Sequence, residues 1–193
     1  MMRYQLALPL LAASLIVPLR AADTVLVFDP PQTQIRWTLD AFVHTVHGTF
    51  QLRSGTVHFD PATGNASGEI IADARSGASG NDSRDGKMHK SVLESAKYPD
   101  VVFKPRRVDG QLPAQGTATL QVHGSFLLHG SEHEATLPIT VTVEPGRIGA
   151  DSKFSIPYVA WGLKNPSTFV LRVNEKVDLE IHAAARIVTN GAQ

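Results

Sequence analysis

The chain contains no cysteine, so it has no disulfide framework, no thiolate metal site and no cysteine nucleophile. Neither sign of charge dominates. Lys and Arg total 18 against 18 Asp and Glu, which gives none of the basic excess that nucleic acid selects. There is no HExxH motif and no G-x-S-x-G elbow, so neither a zinc protease nor an α/β-hydrolase esterase has a specific signature here. Past the first residues no apolar run reaches the roughly 20 residues that a membrane-spanning helix needs. Such a chain has to hold itself together by burial alone.

What is present begins with a leader. Residues 1–21 carry Arg3, an apolar run from Leu6 to Leu19 broken by Pro9 and Pro18, and then Ala21 before Ala22. This reads as a secretory signal peptide cleaved after Ala21, and it implies a periplasmic or secreted protein with no transmembrane span after cleavage. Removing Arg3 and Arg20 with no carboxylate leaves the mature chain slightly acidic. Residues 22–193 are then one domain's worth of chain.

That domain is written mostly in period two. Ile35, Trp37 and Leu39 alternate with Gln34, Arg36 and Thr38; Ala135, Leu137, Ile139, Val141 and Val143 alternate with Thr136, Thr140 and Thr142. The last strand sets Val177, Leu179 and Ile181 against Asp178, Glu180 and His182, so the first set is expected inside and the second in water. Phe50 and Leu52 run into an expected turn at Ser54-Gly55, before Val57 and Phe59; Gly124, between Val122 and Phe126, marks a candidate bulge. About eight antiparallel strands joined by short turns leave a closed barrel or a two-sheet sandwich, and the barrel is favoured because closure removes exposed edges.

One stretch breaks the pattern. Between Ser79 and Pro99, Met88, Val92 and Ala96 recur at helical spacing, with Leu93 beside them, Asp82 and Asp85 near the start and Pro99 as a stop. A helix over about residues 81–96, with a capping box from Ser79 to Asp82, is expected to cover or plug the sheet.

The segment Ser76 to Phe103, with Arg84-Asp85 and Lys97-Tyr98-Pro99, resembles the signature region of the YceI-like family of secreted polyisoprenoid-binding proteins. The likeness extends to Val46 through Phe50, Gly55 through Asp60, the Gly124 to Pro138 hairpin and the strand after Glu175. Lys87-Met88 stands where many members have His-Leu. The resemblance implies an all-β, antiparallel lipocalin-like β-barrel with one inserted helix. It further implies an isoprenoid lipid, such as a prenyl quinone or polyprenyl phosphate, held in an apolar interior for transport, storage or stress response. No cofactor, metal or catalysis is expected, and the protein would be a monomer or homodimer.

Candidate ligand-binding residues are Trp37, Phe50, Phe103, Leu120, Phe126, Leu137 and Ile139 on the apolar strand faces, Trp161 in a Gly, Pro and Asn containing connection, and Arg84 near the helix start. Each apolar residue also has a plain reading as core, since pockets are lined by few residues and cores by many. Trp161 fits a rim position or a tuck onto the barrel end for stability. Arg84 suits a polar head group, or else ties the helix to a neighbouring loop. A secreted enzyme with a polar site at the mouth would use His44, His47, Arg84 and Asp85. For metal, His44 and His47 fall on opposite faces of a strand, and Gly130-Ser131-Glu132 between His129 and His133 reads as a turn.

Overall fold

The computed structural model describes residues 24–42, 44–168 and 172–189. The predicted leader, residues 1–21, lies outside them. The described chain is all-β, as the alternation predicts. Nine strands are β1 (Thr24–Phe28), β2 (Gln34–Asp40), β3 (Thr45–Phe59), β4 (Ala66–Ala78), β5 (Asp100–Asp109), β6 (Gly116–Leu128), β7 (Ser131–Glu144), β8 (Arg147–Ile156) and β9 (Val177–Thr189). All neighbours are antiparallel, and β2 meets both β3 and β9, which closes eight strands into a barrel.

The ninth strand completes a broken stave. β1 pairs the far halves of β3 and β9, β2 pairs their near halves, and a 3-10 turn at Pro30–Gln32 separates the two. Two prolines with no N–H cannot serve a ladder on both sides, so the stave steps aside there. The Asp29 amide still donates to Ala184 O (2.8 Å), which keeps the seam bonded.

The parity of β9 is as expected. Val177, Leu179, Ile181 and Ala183 face the interior, while outside Lys153 pairs with Glu180 (2.7 Å) and His182 with Asp151. The turn expected at Ser54-Gly55 is absent. β3 runs through it, and the ladder to β4 slips between Leu52 and Ser54, so the signal there was a bulge that bends a long strand. Gly55 is small for a packing reason: a Cβ on it would lie 3.0 Å from the Phe28 ring. The bulge expected at Gly124 sits instead on its partner β5, between Pro105 and Arg107, while β6 and β7 pair without a break.

The helical stretch is shorter than residues 81–96. An α-helix, α1 (Asp82–Lys87), passes into a π turn (Met88–Val92), and Glu94 at φ 45° reverses the chain. Asn81 is the N-cap, accepting from the Arg84 amide (3.0 Å), while Asp85 accepts from the Ser79 amide (3.0 Å) and the Ser79 hydroxyl. The expected Ser79 to Asp82 box is thus replaced by Asn81 as cap and Asp85 as return bond. Ala96 lies beyond the helix and is exposed.

Candidate functional site

Antiparallel closure sorts the connections between two ends. At one end lie the turns after β3, β5 and β7; at the other lie the turns after β2 and β6, the helical segment, and the long connection from β8 to β9. At the first end the interior is filled: Leu120, Val141, Val143, Ile148 and Ala185 form a buried cluster, with Leu26, Phe28 and Ile187 packed against it. Toward the second end the barrel holds a cavity of about 410 Å³, within the usual range for a small-molecule site.

The cavity gathers most of the residues named from sequence. Trp37, Phe50, Phe103, Phe126, Leu137 and Ile139 all line it, and so does Arg84. Phe103 and Phe126 meet ring to ring at 4.8 Å, and Phe154 follows at 5.9 Å, an aromatic row along one wall. Leu120 does not line the cavity. It shares the inward face, but its level of the barrel is filled by Val141, Val143 and Ile148, so it packs as core. Ile139 packs against both this cluster and the cavity wall and forms the floor.

Trp161 is not on the lining either. The β7–β8 ladder begins only at Ile139 and Ser152, just past Pro138, which has no N–H to give. Nearer the open end, β7 and β8 diverge. Trp161 bridges them from the β8–β9 connection, 5.9 Å from the Phe126 ring and stacked on His133 at 4.6 Å, in a cluster with Phe154 and Ile156. Tyr158 anchors the same connection by donating its hydroxyl to Asn174 O (2.7 Å); burial, with Glu175 adding to it, pushes its phenol up to about 12.

The helical segment is the lid. Met88, Val92 and Leu93, the apolar stripe of the helical spacing, line the cavity from above. His89 holds the π turn down, with Nε2 donating to Gly77 O (2.8 Å) and Nδ1 paired to the buried Ser95 hydroxyl (3.0 Å). At its far end Glu94 meets His129 of the β6–β7 turn (2.6 Å). Both of these residues have positive φ, so the turn and the lid meet through two strained backbones.

At the rim stand His44, Arg84 and Lys87, and no carboxylate lines the cavity among the described residues. Arg84 is held in place from below: Nε donates to Ser79 Oγ (2.7 Å) and Nη2 to Ser79 O (3.0 Å). Asp85 is spent on the same Ser79. Burial raises its carboxyl, but the Ser79 donors and the Arg84 charge outweigh this and hold it below the ordinary range. The polar set His44, His47, Arg84 and Asp85 is not brought together, because His47 lies on the outer face, bonded to Thr38 Oγ1 (3.0 Å). No cluster of three or more His, Asp or Glu among the described residues could hold a metal ion.

The lining residues that the sequence does not mark out are mostly apolar residues of ordinary strands. Phe154, Leu179 and Val101 line the cavity with the same alternation as any core residue. Among the described residues no helix is long and apolar enough to cross a membrane.

The fold recurs in solved structures. BcnA from Burkholderia cenocepacia superposes with a TM-score of 0.66 at 17% identity, covering 81% of this chain and 98% of that one. A polyisoprenoid binding domain from Saccharophagus degradans, implicated in plant cell wall breakdown, gives 0.63 at 15% identity, covering 84% and 98%. The YCEI protein of Campylobacter jejuni gives 0.57 at 18% identity, covering 69% and 80%. No curated protein matches the sequence. The YceI-like domain profile matches residues 26–185, nearly the whole barrel, and the chain belongs to the YceI-like domain family.

Proposed function

We propose that this protein is a periplasmic or secreted binding protein that holds the long apolar tail of an isoprenoid lipid in the open half of the barrel. One observation carries the reading: a cavity of about 410 Å³ walled by apolar side chains, with basic groups only at its rim. Aliphatic and aromatic walls favour a hydrocarbon tail by removing it from water, at roughly 25 cal/mol per Å² buried. Arg84 and Lys87 would meet a polar or phosphorylated end at the mouth, the arginine fork being already braced on Ser79. In this reading Trp37, Phe50, Phe103, Phe126, Leu137 and Ile139 contact the tail. Leu120 and Trp161 support the floor and the side wall. The solved polyisoprenoid binding domain from Saccharophagus degradans shares the fold and supports the ligand class. The family reading favours binding without chemistry, since the polar residues of the mouth do not converge.

Ile139→Trp tests it. An indole projecting into space that the tail occupies leaves the stability of the delipidated protein nearly unchanged and lowers the lipid recovered by organic extraction and mass spectrometry. A filled core instead predicts an overpacking loss of about 1–3 kcal/mol. That loss together with an undiminished lipid load, or a wild type that never carries lipid, rules the proposal out.

A further inference from the structure

The open end differs from the rest of the surface in a way that the cavity does not require. On the barrel wall most lysines and arginines are matched by carboxylates, as are Lys104 with Glu132 (3.1 Å), Lys153 with Glu180 (2.7 Å), Arg53 with Asp73 (3.1 Å) and Arg106 with Glu134, while Arg36 and Arg147 bond the amides of Gln34 and Gln32 instead. At the open end Lys87 and Lys90 of the lid, and Lys164, Arg172 and Lys176 of the β8–β9 connection, join none of the ion pairs found among the described residues, and they outnumber Asp40, Asp82 and Glu175, the carboxylates of the same turns that also join none. Beside them is the most exposed large apolar side chain of the described residues. Phe42, in the β2–β3 turn, is 89% exposed.

Phe42 is held out on a fixed support. Its amide donates to Arg172 O (3.0 Å), Ala41 bridges Val173, and Asn174 N donates to Asp40 O (2.8 Å), so the turn is laced to the neighbouring connection. Its neighbours Ala41 and His44 line the cavity rim, so the ring stands beside the opening. An aromatic residue held in water by a bonded backbone, next to unpaired cations and the mouth of an apolar cavity, has the chemistry of an interfacial anchor.

We propose that the open end docks on an anionic phospholipid bilayer, with Phe42 entering the interface and Lys87, Lys90, Lys164, Arg172 and Lys176 facing the lipid phosphates. The unpaired positive charge selects an anionic surface, since each Lys or Arg near such a surface adds to the attraction. The exposed ring adds an apolar contact that salt does not screen. Docking in this pose sets the cavity mouth against the bilayer. The inference rests on the lipid-binding reading only for its purpose, because vesicle binding and cavity filling are measured separately.

The probe is co-sedimentation with vesicles of phosphatidylcholine alone and of equal parts phosphatidylcholine and phosphatidylglycerol. Wild type binds the mixed vesicles and not the neutral ones. Phe42→Ser, whose site is exposed enough to leave thermal unfolding unchanged, binds the mixed vesicles about tenfold more weakly or worse. Lys90→Glu combined with Lys164→Glu abolishes the preference for phosphatidylglycerol. Phe42→Ser loaded from detergent micelles takes up as much lipid as wild type, which separates docking from the cavity. If wild type fails to bind mixed vesicles, if it binds both compositions equally, or if Phe42→Ser binds like wild type, the proposal is overturned. A dimer in vesicle-free solution that Phe42→Ser dissociates overturns it too, because the ring would then be covered by a second copy. A protein that docks but never carries lipid overturns the cavity reading and leaves the docking intact.

Discussion

The two halves of this barrel are made of the same strands and the same alternation, yet one is solid and the other hollow. In the solid half the branched residues Val141, Val143 and Ile148 converge on Leu120, and the added strand β1 contributes Leu26 and Phe28 to the same cluster. In the hollow half, large rings line the wall without filling the middle, and irregular segments supply the roof: the lid, Tyr158 and Leu163. Regular strands therefore build the end that only has to be stable. The end with a site is finished by chain that leaves the ladder, where the backbone can be strained, as at Glu94 and His129.

The largest effect that can sharpen this contrast is at Leu120. Leu120→Ala removes buried methyl groups where neighbours from several strands are already packed, so it should cost about 2–5 kcal/mol in denaturant unfolding. Lipid recovered per folded protein should not change. A cost below about 1 kcal/mol would mean that the closed half is not a tight core. Gly124→Ala comes next. Its methyl would fall against the Lys104 carbonyl and 2.9 Å from the Phe103 ring, beside the β5 bulge. Overpacking of about 1–3 kcal/mol is expected. It should be accompanied by reduced lipid, because the ring it displaces lines the cavity. Ile139→Trp, on the boundary, should show the reverse balance, with little change in stability and a clear fall in load.

Much of this was legible in the sequence, and the part that was not has a common physical cause. Period-two alternation reports which face a side chain takes, and it placed Trp37, Ile139 and Val177 correctly on the inside. It carries no information about depth along the barrel axis. Leu120 and Ile139 are direct cross-strand partners with the same parity, yet one lies in the packed cluster and the other on the cavity floor. The Ser54-Gly55 signal misled because a glycine that makes room for the Phe28 ring looks, in sequence, like a glycine in a turn. The helix reads too long in the sequence because Met88, Val92 and Leu93 keep helical spacing through a π turn, and nothing in the spacing shows that Glu94 will reverse. The sequence alone leaves Trp161 between rim and tuck; the gap that opens beside Pro138 decides it, and that gap is a matter of register.

The smallest effect separates the two halves by pH. Asp85 ties the lid to Ser79, and its carboxyl is held below the ordinary range: burial alone would raise it, but the Ser79 hydroxyl and amide and the Arg84 charge prevail. A carboxyl depressed on folding contributes stability that is fully present above its ordinary unfolded value and is lost as pH falls through the lower folded value. The bond lies within the helical segment and its N-terminal approach, so its loss should loosen the lid and leave the Leu120 cluster untouched. In Asp85→Asn an amide oxygen can still accept one of the donors, so the cost at neutral pH should be modest, under about 1 kcal/mol. Hydrogen exchange resolves it by region: protection of α1 relative to β6 should fall in wild type as the pH drops below the ordinary carboxylate range. In Asp85→Asn it should already be lower at neutral pH and lose that pH dependence. If lid and closed end lose protection together on acidification, the lid is no separate unit, and the division of the barrel into a stable half and a working half does not hold.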